Sequence, residues 1–148
     1  MSAITFAFDQ KEMNNLINSA ADDQNILISI VSAKAASGRK SNLFLAAQLS
    51  DAVTNAPVKS LLPPPVGCPN PPGWKTDAIP RITPAQLAGA PKFIIPANEK
   101  NKLNLKPAKD QLFVDLEAFI DEQGLQTRLA FKQTKTSKEA IAVTDKLL

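Results

Sequence analysis

Histidine and tyrosine are both missing from this chain, and cysteine occurs once. Without histidine the usual general acid/base, the base of a Ser or Cys triad and the commonest zinc ligand are gone. One thiolate cannot build a Cys₄ or Cys₂His₂ zinc site, and Cys68 cannot form an intramolecular disulfide. Catalysis would fall to carboxylates, lysine, Cys68 or a metal held by oxygen ligands. No motif of those kinds is found, so the reading leans away from an enzyme and calls for no cofactor and no metal. Cys68-Pro69 alone is too common a dipeptide to signal a haem thiolate.

Long hydrophobic runs are absent too. No stretch approaches the ~20 apolar residues of a membrane helix. The opening Met1–Phe8 has no basic n-region and its apolar run stops at Asp9, so no export signal is read. With a single cysteine, these features lead us to expect a cytoplasmic protein that makes no membrane contact. At 148 residues the chain fits one domain and can bury a core without metals or disulfides.

What is present is unevenly placed. All 12 prolines lie between Pro57 and Pro107. The same 57–107 stretch holds seven basic and two acidic side chains, while the flanks are close to neutral. We therefore read 1–148 as a single domain in which 57–107 is a basic, proline-rich insertion or arm.

The first flank reads as strand, helix and hairpin. Ile4, Phe6 and Phe8 alternate with Thr5 and Ala7, which is strand periodicity. Asp9-Gln10-Lys11-Glu12 forms a capping box, followed by Met13, Leu16, Ile17 and Ala20 on one helical face, predicting a helix at about 10–21. Asn25–Ala33 and Asn42–Ser50 read as strands joined through Ser37-Gly38-Arg39-Lys40. In the last flank, Leu112–Ile120 fits either a strand or a helix. The strand is favoured because Asp121-Glu122-Gln123-Gly124 makes a hairpin turn into the amphipathic run Leu125–Phe131. Thr136-Ser137-Lys138-Glu139 is a second capping box and predicts a helix at about 137–147. Short strands are expected at Lys92–Ile95 and Lys102–Lys106, the latter as an exposed edge. The fold class is thus α+β: an antiparallel sheet with two helices on one face.

The insertion carries the candidate interaction residues: Leu61, Leu62, Pro63, Pro64, Pro65, Pro71, Pro72 and Trp74. Consecutive prolines favour stiff polyproline II, and the flanking apolar side chains are too many for a solvated linker. Such an arm docks on its own domain as a strap or on another molecule. The function expected is a non-enzymatic protein-binding or assembly module, its partner protein being a second copy of itself or unknown. It would use the arm and exposed sheet edges. Two alternatives have weaker support. Lys92, Lys100, Lys102 and Lys106 as a stripe would suit weak nucleic-acid binding, but little aromatic interleaving accompanies them. Asp115 and Glu117, with Asp121 and Glu122, would suit a carboxylate- or metal-dependent enzyme, but more simply pair with Arg128 and Lys132 across a ladder.

Overall fold

A computed structural model describes residues 2–34, 41–60, 63–70, 79–105 and 110–148. It contains an 8-stranded sheet. In chain order the strands are β1 (Ser2–Asp9), β2 (Asn25–Lys34), β3 (Ser41–Ser50), β4 (Val66–Pro69), β5 (Lys92–Ile95), β6 (Gln111–Asp121), β7 (Gly124–Lys132) and β8 (Ala142–Thr144). Two helices, α1 (Gln10–Ser19) and α2 (Pro84–Gly89), accompany them. The spatial order is β5-β2-β3-β4-β1-β6-β7-β8, with every pairing antiparallel.

The sheet coils until its ends nearly meet. Beyond β8 the chain runs along the outer edge of β5, where Ile94 N donates to Lys146 O at 2.9 Å and Leu148 N to Lys92 O at 2.9 Å. Thr144 Oγ1 donates to Ile94 O across the same seam. The result is a nearly closed barrel, which removes most of the exposed edge an open sheet would present.

Alternation along each strand fills the interior. Phe6 and Phe8 from β1, Ile26 and Ile28 from β2, Phe93 from β5, Leu112 and Val114 from β6, and Phe131 from β7 are wholly buried in one cluster. Burying side chains of this size is worth roughly 1.5–3 kcal/mol each. The reading of 112–120 as a strand is correct: β1 pairs with β6 from Ser2↔Ala118 to Asp9↔Gln111.

α1 closes one end of the barrel. Asp9 caps it, its side chain accepting from Glu12 N at 3.2 Å. Met13 and Ile17 drop into the core, with Leu16 and Ala20 packed against it. The buried Gln10 donates to Leu103 O at 2.9 Å, and Asn14 donates to Leu105 O at 3.0 Å. These bonds tie the helix to a 3₁₀ turn at Lys100–Leu103.

A second cluster covers the outer face of β2, β3 and β4. Val31, Ala33, Phe44, Ala46 and Cys68 pack there with Ile82 and with Leu87 of α2. Thr83 and Gln86 make a complete capping box for this short helix, with Pro84 in its first turn.

Three expectations need correction. The predicted helix at 137–147 is absent; Ala142–Thr144 is a strand paired with Leu129–Phe131. The capping-box residues form only a turn, Ser137 N donating to Thr134 O at 3.2 Å, because β7 needs a neighbour more than the chain needs an exposed helix. The predicted strand at Lys102–Lys106 is replaced by the 3₁₀ turn, since Leu103 is drawn fully into the core; Lys106 lies outside the described residues. Two helices on one face do not form: of the predicted pair only α1 is present, plugging an end, while the second helix is the unpredicted α2, which lies outside. Within the proline-rich stretch, Val66–Pro69 is β4, inserted between β3 and β1 in mid-sheet.

Candidate functional site

The predicted interaction residues divide at the boundary of what is described. Leu61, Leu62, Pro71, Pro72 and Trp74 lie outside the described residues. Pro63 is exposed, Pro64 half-buried and Pro65 buried. Pro65 O accepts from Ala47 N at 3.0 Å, so this triplet feeds the chain into β4.

Of the four lysines of the basic stripe, Lys92, Lys100 and Lys102 are separately engaged, and Lys106 lies outside the described residues. Lys92 Nζ caps the end of α2, donating to Leu87 O and to Ala90 O at 2.8 Å. Burial pushes its ammonium pKa down. Lys100 is buried and donates to Ala21 O, Asp22 O and Gln24 O, closing the loop between α1 and β2. Lys102 pairs with Glu99. Each of these three ammonium groups contacts local carbonyls or a neighbouring carboxylate.

The carboxylates behave as the cross-strand reading expected. Glu117 takes Arg128 Nε at 2.6 Å, from the residue directly opposite on β7. Asp115 takes Lys132 Nζ at 2.7 Å and also accepts from Thr5 Oγ1 at 2.7 Å. The Arg128 guanidinium lies over the Phe119 ring at 4.9 Å. Asp121 belongs instead to the hairpin turn, accepting from Gln123 N at 2.8 Å. Among the described residues no group of three or more Cys, Asp or Glu could hold a metal ion. Cys68 is buried, and burial first, with Glu12 second, pushes its thiol pKa up to about 11. Such a thiol is a poor nucleophile. Among the described residues no helix is long and apolar enough to cross a membrane.

Exposed apolar side chains gather at the barrel end away from α1. β1 runs toward α1, so the β6–β7 turn lies at the opposite end. The core-facing row of β6 is Leu112, Val114 and Leu116, and two-residue periodicity carries it on through Ala118 to Ile120. Ile120 stands directly opposite Leu125. Ile120 is 83% exposed, Leu125 73% and Ile4, opposite Leu116, 46%. The apolar row that fills the barrel therefore continues past its rim into solvent. Elsewhere a cleft of about 380 Å³ lies between β2, β3 and the end of α2, lined by Ile30, Leu43, Ala90 and Pro91 among others.

The Ile120–Leu125 pair was missed in the sequence, although its signal was there: two large aliphatics flanking a four-residue polar turn, in register with a core row. Compared with protein-family models, curated proteins and solved structures, the chain matches none.

Proposed function

We propose that the chain is a non-enzymatic protein-binding and assembly module whose principal partner is a second copy of itself. The observation that carries this reading is the opposed Ile120–Leu125 pair, 83% and 73% exposed on the core-facing side of its hairpin. Aliphatic side chains placed together in water cost solvation that a protein contact would recover. The hairpin tip also combines acidic Asp121 and Glu122 with Arg128 further along, a distribution that suits contact between like molecules. The arm enters through its sequence alone: Trp74 is the sole tryptophan and there is no tyrosine, so its emission reports that segment without interference.

The test is sedimentation velocity across a concentration series, with Trp74 emission followed in parallel. The wild type is expected to self-associate, and Ile120→Ser/Leu125→Ser to remain monomeric with an unchanged melting temperature. Emission that reddens on dilution would add the arm to the contact; unchanged emission would leave the arm out of it. A wild type that stays monomeric at the highest soluble concentration overturns the proposal.

A further inference from the structure

Self-association at this end of the barrel has a geometry available in β7, and the inference drawn from it rests on the proposed assembly. β7 has two edges. One pairs with β6 along its whole length, from Asp121↔Gly124 to Phe113↔Lys132. The other meets β8 only at Leu129–Phe131. Among the described residues no strand pairs with that outer edge from Gly124 to Arg128.

Hydrogen-bond alternation says which groups are left. Asp121 and Gly124 close a two-residue loop, which makes them a bonded pair. Gly124, Gln126 and Arg128 then direct their backbone N–H and C=O toward β6, and Leu125 and Thr127 direct theirs outward. The usual protections of an edge are missing from this stretch. Gly124–Thr127 contains no proline and no charge. Arg128, at the end of the stretch, leans toward Glu117 and the Phe119 ring while 36% of its side chain stays exposed.

We infer that the outer edge of β7 pairs antiparallel with the same edge of a second copy, about a two-fold axis at Gln126. In that register Leu125 of each copy faces Thr127 of the other, and their outward groups form about four inter-chain hydrogen bonds. The charges are self-complementary, as an isologous contact requires. The turn with Asp121 and Glu122 of one copy comes beside Arg128 of the other. The pairing also sets both exposed Ile120–Leu125 pairs on one face across the axis, joining the two apolar rows.

The axis makes the inference testable by charge. A two-fold at Gln126 sets that residue against itself, so Gln126→Lys and Gln126→Glu should each self-associate roughly tenfold more weakly than wild type. Mixed in equal amounts, the two variants should recover association as a heterodimer, because opposite charges then meet. Thr127→Pro removes an outward N–H without touching the β6 ladder and should give a monomer. Circular dichroism and the urea midpoint of each variant establish that it is folded. Sedimentation equilibrium reads the outcome. Self-association that ignores charge at Gln126, yet is lost in Ile120→Ser/Leu125→Ser, overturns the edge pairing and leaves the assembly reading standing. No association by the wild type removes both.

Discussion

Cys68 lies in β4 with its side chain in the outer cluster, among Val31, Phe44, Ile82 and Leu87. Its thiol titrates at about 11 in the fold, against an ordinary value near 9. The unfolded chain therefore releases this proton at lower pH than the folded one. Between those values the folded state binds more protons, so stability falls as pH rises through the window and levels off above it. Cys68→Ala should flatten that component of the profile, read as the difference between variant and wild-type urea midpoints from pH 8 to 12. Parallel profiles would mean that the thiol is not desolvated. Lys100 shows the opposite use of burial. Its charge is kept inside by the carbonyls of Ala21, Asp22 and Gln24, because a buried ammonium is tolerated only when its protons are donated. Nothing in the local sequence distinguishes this lysine from the exposed Lys102 two residues on.

At the scale of elements, legibility followed how local the determinants were. α1 was readable because Asp9, Glu12 and the Met13–Ile17 stripe are close neighbours, and the β6–β7 hairpin because its turn and alternation are contiguous. β4 was not readable. Its four residues sit among prolines, and its pairing with Leu45, Ala46, Phe6 and Ala7 is long-range. β8 misled because a capping box and an apolar run are local helix signals, whereas the seam beside β7 is a tertiary demand. The apolar pair at Ile120 and Leu125 was legible as strand alternation but not as an exposed surface, since exposure is set by tertiary packing. Gly67 tests the placing of β4. A Cβ there would meet Phe8 Cε2 and Cζ at 2.9 Å, and Phe8 is a fully buried ring. Gly67→Ala should cost about 1–3 kcal/mol through overpacking. Gly89→Ala, at the end of α2, meets nothing within 4 Å and serves as the control. Equal urea midpoints for the two variants would place β4 away from Phe8.

For the whole molecule the decisive feature is the seam between β5 and the chain beyond β8. Strand order alone leaves β5 at one margin and β8 at the other. Among the described residues the seam is closed by two backbone bonds, Ile94 N to Lys146 O and Leu148 N to Lys92 O, by Thr144 Oγ1 to Ile94 O, and by the bridge Phe93↔Leu147. Deleting residues 146–148 frees Ile94 N–H and Lys92 C=O and uncovers one side of the Phe93 strand. The direct loss should be about 1–3 kcal/mol, from two net hydrogen bonds and reduced burial. It is read as a lowered urea midpoint and faster exchange of the Ile94 amide, with the β1–β6 amides still protected. The uncovered β5 edge is a second route to association, so the truncated chain should aggregate more than wild type. That new association should be indifferent to charge at Gln126, because Gln126 lies on β7 and not on the β5 edge. An intact midpoint with unchanged Ile94 exchange would mean that residues 146–148 contribute no stability to the seam.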